Sequence, residues 1–183
     1  MSYEEIKELF PEWVGDTLKV DVDDYLAPNR RNEHHQFLYQ WNGAYLSAGD
    51  FRNLGPFEKD GYALGRVQLK DDCCGFLYAL TDHKEIRILI YSESRQKMLL
   101  DMELAHYDYV ETTYKSEMKS WLLDIDGDGD TDIANWESLT DYELPNEYSD
   151  NISGDTRYMH MLENDSLVYY YWDYEKLEGL RFR

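Results

Sequence analysis

Positive charge is scarce in this sequence. Eighteen Lys and Arg stand against 38 Asp and Glu, a formal net charge of -20. That shortfall excludes a generic nucleic-acid binder, because phosphate contacts need clustered cations. It also disfavours binding to an anionic membrane surface. Long apolar runs are missing too: no stretch of about 18 apolar residues is present to form a spanning helix. Residues 1–12 carry acids and no apolar core, so they do not read as a signal peptide. Cysteine is limited to Cys73 and Cys74, which are adjacent. Neighbours on a strand point to opposite faces, so a disulfide between them is disfavoured, and a metal knuckle would need a spacer and further ligands. The pair therefore reads as one buried thiol and one more exposed.

Catalytic signatures are absent as well. There is no G-x-S-x-G, no H-E-x-x-H and no glycine-rich phosphate loop. His34 and His35 are adjacent and diverge on a strand, while His83, His106 and His160 stand alone in sequence. A nucleophile with an organised base cannot be picked by spacing. With 38 acids, carboxylate pairs arise somewhere by number alone, so they carry no weight as a glycosidase signal. The reading is therefore of a non-enzymatic protein.

What the chain does have is aromatic mass and acid. Aromatics make up 15% of it, with 17 Tyr and 5 Trp, where disordered acidic chains are aromatic-poor. The length suits one domain over residues 1–183. The charge is uneven. Residues 101–183 hold 21 acidic and 6 basic residues, a net of -15, against 17 and 12, a net of -5, in residues 1–100.

Ser2-Tyr3-Glu4-Glu5 fits a capping box, with Ile6, Leu9 and Phe10 at helical spacing and Pro11 as the stop. Residues 15–33 read as polar and irregular. Thereafter the chain reads as strands. His35–Trp41 and Ala44–Ala48 flank Asn42-Gly43, a hairpin signal. Gly61–Leu69, Gly75–Leu80, Glu85–Tyr91, Lys97–Leu104, Tyr107–Tyr114, Lys119–Ile125, Thr156–Leu162 and Ser166–Trp172 follow. Helical patterns between the strands are missing. The fold class is mainly β: an antiparallel meander closing as a barrel, sandwich or curved sheet, with a short N-terminal helix.

One stretch carries chemistry. Asp124-Ile125-Asp126-Gly127-Asp128-Gly129-Asp130-Thr131-Asp132 matches D-x-D-x-D-G-x-x-D. Its first three carboxylates alternate, so a tight turn can aim them at one point, and glycine permits the bend. Five aspartates within nine residues repel one another, and a hard divalent cation relieves that repulsion. The competing reading is a solvated acidic turn. The stretch resembles the calcium loops of EF-hands, dockerins, thrombospondin type 3 repeats and FG-GAP/VCBS repeats. It departs from an EF-hand at its twelfth position, Asn135 in place of glutamate, and at Thr131 in place of an apolar residue. Strand-like flanks bring it closer to the FG-GAP and VCBS turns. The resemblance implies Ca²⁺, with Asp124, Asp126, Asp128 and Asp132 as side-chain ligands and Asp130 as a carbonyl ligand, in a structural role. It slightly favours a periplasmic or extracellular setting.

Val168-Tyr169-Tyr170-Tyr171-Trp172-Asp173-Tyr174 is the densest aromatic run. Alternate rings of a strand face outward, which makes Tyr169, Tyr171, Trp172 and Asp173 a candidate partner surface. Asn151-Ile152-Ser153 and Asn164-Asp165-Ser166 match the glycosylation sequon, a pattern frequent by chance. Size, acidity and aromatic content resemble bacterial immunity proteins, which implies a basic protein partner, a toxin or an enzyme, neutralised by direct binding. The alternative is a calcium-stabilised carbohydrate-binding or adhesion module.

Overall fold

The structure is a computed structural model describing residues 2–26, 41–51, 60–81, 83–110, 114–141, 153–163 and 166–171. Its elements are α1 (Tyr3–Lys7), β1 (Thr17–Val20), α2 (Val22–Tyr25), β2 (Ala44–Leu46), α3 (Ala48–Phe51), β3 (Gly61–Lys70), β4 (Cys73–Leu80), β5 (Glu85–Ser92), β6 (Lys97–Val110), β7 (Tyr114–Leu123), β8 (Asp132–Asp141), β9 (Ser153–Glu163) and β10 (Ser166–Tyr171). The fold is mainly β. The strands form one antiparallel sheet in the order β10-β9-β8-β7-β6-β5-β4-β3-β2, with β1 pairing β7 off that path. The sheet is not closed.

Two apolar layers cover its two faces. Alternation along β4 divides the strand between them. Cys73, Leu77 and Ala79 face a large core shared with Val67, Ile86, Ile88, Ile90, Leu122 and Ile133. Cys74, Phe76 and Tyr78 face a smaller core with Leu89 and Tyr91. Both cysteines are therefore buried and outside any disulfide, which corrects the expectation of one exposed thiol. A strand covered on both faces leaves neither neighbour to solvent. Burial pushes the Cys74 thiol up to about 11.

The smaller core is covered by α1. The capping box forms as read: the Ser2 hydroxyl accepts the Glu5 N–H, and the Glu5 carboxylate accepts the Ser2 N–H. Five residues cannot hold a helix by propensity alone. Ile6 and Phe10, each 1% exposed, hold it by packing, each burial contributing roughly 1.5–3 kcal/mol. Phe10 meets Phe76 edge-on and Tyr3 stacks on Tyr91.

Bulges deliver side chains to the large core. Four register shifts interrupt the β3–β4 and β5–β6 ladders, and the residues skipped are Leu64, Leu69, Leu99 and Leu104. Each of these leucines lies in the large core or packs against it. A bulge adds a residue to one strand, increases its twist and leaves backbone groups unpaired. Here the added side chain is apolar and turned inward, and two of the freed carbonyls find donors. Leu104 O accepts from the Ser120 hydroxyl, and Leu69 O accepts from Thr131 N–H at 2.7 Å.

Two sequence-based expectations need correction. Residues 17–25, read as irregular, form β1 and α2. Asp21 caps α2, its carboxylate accepting the Asp23 N–H, and β1 takes the edge of β7 at Ser120–Leu123 that β6 does not reach. The hairpin read at Asn42-Gly43 involves residues that are not described; among the described residues Trp41 bridges Leu26 and β2 pairs β3. Residues 35–40 lie outside the described residues. The separate candidates Lys97–Leu104 and Tyr107–Tyr114 are joined through Val110 as β6, and Tyr114 opens β7.

Candidate functional site

The aspartate-rich loop joins β7 to β8. Trp121-Leu122-Leu123 and Ile133-Ala134-Asn135 pair antiparallel on either side of it, so the flanks are strands as the sequence suggested. Gly127 and Gly129 have φ of +81° and +93°, left-handed values that disfavour any side chain. Asp124 accepts from Gly127 N–H at 2.7 Å and from Gly129 N–H at 3.0 Å, while Asp126 and Asp128 accept from Asp128 and Asp130 N–H. These local bonds curl the loop. One carboxylate oxygen from each of Asp124, Asp126 and Asp128 lies within 4.8 Å of the others, and all three residues are exposed.

The other two aspartates of the motif stand apart from that trio. Asp130 Oδ2 pairs with Lys70 Nζ at 2.5 Å. Asp132, 2% exposed, accepts the Ile125 N–H at 3.0 Å through Oδ2 and so ties the two ends of the loop. Asn135 is fully buried and donates to the Ser120 hydroxyl, so the loop gives way to strand well before the twelfth position. Thr131 donates its N–H to Leu69 O and its hydroxyl proton to Gln68 O, fastening the loop to the far end of β3.

Side chains on four strands build a second constellation that the sequence reading did not assemble. The His160 ring carries its proton on Nδ1 toward Asn135 Oδ1 at 3.2 Å, because Asn135 already donates through Nδ2 to Ser120. Burial lowers the His160 pKa and keeps the ring neutral. Tyr158 stacks on Tyr169 with centroids 5.5 Å apart, and His160 meets both rings edge-on. Burial raises the Tyr158 phenol to about 12.

Beside this network, His106 Nδ1 lies 2.5 Å from Glu103 Oε1 and Nε2 lies 2.7 Å from Ser116 Oγ. Burial opposes charge on His106, but the Glu103 carboxylate outweighs it and holds the imidazole above its ordinary value. Glu103 and His106 are three apart, which in an even strand would put them on opposite faces. The bulge at Leu104 inverts the alternation and brings them together. No spacing rule applied to the sequence could find that pair without the bulge.

Of the proposed partner surface, Tyr169 lies on β10 and is 49% exposed. Tyr171 lies on the same strand, paired with Tyr158, while Trp172 and Asp173 lie outside the described residues, as do both sequon asparagines. Tyr170, 37% exposed, and Leu139 on β8, 44% exposed, add apolar area the sequence reading had not singled out. Several cations among the described residues pair with carboxylates: Lys7 with Glu93, Lys19 and Lys119 with Asp21, Arg66 with Glu12, Arg87 with Glu85 and Asp101, and Lys115 with Glu117. Comparison with family models, with curated proteins and with solved structures returns no match.

Proposed function

We propose that this protein acts by binding: a curved β-sheet that presents an acidic, tyrosine-bearing surface to a basic protein partner, in the manner of an immunity or inhibitor protein. The observation that carries the reading is the state of its cations. Those just named are spent on internal ion pairs, in a chain where acids outnumber Lys and Arg by 38 to 18. The outward field is therefore negative, which steers a cationic partner and repels an anionic one. Tyr169 on β10, stacked on Tyr158, supplies the anchor type that dominates such interfaces.

The loop Asp124–Asp132 serves this reading as a fixed strut holding Ca²⁺. The convergent oxygens of Asp124, Asp126 and Asp128 fit a hard cation with oxygen ligands. The engagement of the Asp130 side chain by Lys70 leaves its carbonyl as the group to offer. Bound there, Ca²⁺ would neutralise the trio and stiffen the turn.

The test is capture from host extract at low salt, followed by reconstitution from purified components. A basic protein that rebinds with a Kd below about 1 μM, and whose affinity falls as salt rises, supports the reading. Failure of every basic protein to bind at low salt overturns it. The same acidic sheet could serve a carbohydrate-binding module, since the stacked Tyr158 and Tyr169 rings offer sugar-stacking area. Glycan-array binding that is lost with a chelator distinguishes that outcome.

A further inference from the structure

We propose that Ser116 is a nucleophile, activated by His106 and positioned by Glu103, and that it accepts an acyl group from an activated carboxylic ester. The inference stands independently of the binding role above. It rests on a complete hydrogen-bonded relay: Ser116 Oγ to His106 Nε2 at 2.7 Å, then His106 Nδ1 to Glu103 Oε1 at 2.5 Å. Those distances and that order are the arrangement that activates a serine hydroxyl.

The fold holds each member in place. Asp108 pairs with Ser116 and His106 with Met118, so His106 and Ser116 are diagonal neighbours on one face of the β6–β7 ladder. The Leu104 bulge turns Glu103 onto the same face, and the Ser120 hydroxyl fixes that bulge through the Leu104 carbonyl. The site is reachable: Ser116 is half-buried, and the side chains of His106 and Glu103 are 15% and 35% exposed. A purely structural link between β6 and β7 would be satisfied by a serine–carboxylate bond. An imidazole bridging the two adds a group whose Nε2 takes up a proton when the ring is neutral.

The step balances. The Ser116 oxygen attacks the ester carbonyl carbon while its proton passes to His106 Nε2. The tetrahedral adduct then collapses, the carbon–oxygen bond to the leaving group breaks, and that oxygen departs with the proton from Nε2. Acyl-Ser116 and an alcohol result, and no oxidant or metal is required. The charged groups around His106 are mostly anionic: Glu103 and Asp108 on β6, Glu137 on β8, and Glu85 opposite on β5; Arg87, opposite Glu103 in register, is a cation beside them, held by Glu85 and Asp101. The carboxylates favour a neutral or cationic ester over an anionic one, and they stabilise the imidazolium that forms during attack.

The experiment uses the full chain and p-nitrophenyl acetate, with p-nitrophenolate release followed by absorbance and the acetylated residue located by peptide mass spectrometry. A single acetyl group on Ser116 is expected. Its rate of formation should fall by about 10²-fold or more in His106→Gln. The rate should rise with pH through an inflection above about 6.5, the ordinary imidazole value. Glu103→Gln should move that inflection down, which a structural link would not do. Ser116→Cys gives a second reading: alkylation by iodoacetamide at neutral pH should depend on His106. Acetylation elsewhere than Ser116, or an unchanged rate in His106→Gln, overturns the proposal.

Discussion

Asp21 shows how much one side chain can hold. It caps α2 and accepts from Lys19 at 2.9 Å and Lys119 at 3.0 Å, so it ties β1, α2 and β7 together. Burial pushes its carboxyl up, but those two ammonium groups and the Asp23 N–H outweigh burial and hold it below the ordinary carboxylate range. A depressed carboxylate stabilises the fold above the unfolded pKa, and that stability is lost as pH falls through the lower folded value. Asp21→Asn should therefore lower stability at pH 7, and the difference from the parent should shrink as pH falls below about 3.9. Urea titrations across pH measure it. A difference that stays constant into acid would show that the charge is not what Asp21 contributes. None of this was legible in the sequence, where Asp21, Asp23 and Asp24 read as a polar loop. A cap and a four-residue edge strand carry too little periodic signal to be seen before their partner strand is known.

Among the elements, the β7–β8 loop makes the clearest prediction. Melting should shift upward with Ca²⁺ and return with EDTA, and Asp126→Ala combined with Asp128→Ala should abolish the response. At a hundredfold excess over the dissociation constant, a native-state site contributes about 2.7 kcal/mol. Identical melting curves with and without Ca²⁺ would leave a solvated acidic turn. The loop was the most legible element because its chemistry is local: alternating carboxylates and two glycines fix a turn whatever surrounds them. The strands were legible for the same reason, since apolar alternation such as Ile86, Ile88 and Ile90 survives in any antiparallel context. The serine–histidine–glutamate relay was hidden because Leu104 breaks that alternation. Reading His106 as solitary followed correctly from an even strand, and the strand is not even.

For the whole molecule, the dominant quantity is self-repulsion at a net charge of -20. Salt should stabilise it. Raising ionic strength from about 0.01 to 0.15 M shortens the screening length from about 30 to 8 Å, which weakens repulsion between surface carboxylates more than the short ion pairs. Calorimetry with a monovalent salt should show Tm rising over that range; a falling Tm would mean that the ion pairs outweigh the net charge. The open sheet bears on this through one contact. Thr131 and Asp130, between β7 and β8, bond Leu69 and Lys70 at the end of β3, although β4, β5 and β6 lie between in strand order. That chord bridges three intervening strands. It makes the two sides of the large core a single cooperative unit, since neither can peel away without releasing the other. In native-state hydrogen exchange, the Thr131 amide should then open only with the global transition, despite lying in an acidic surface turn.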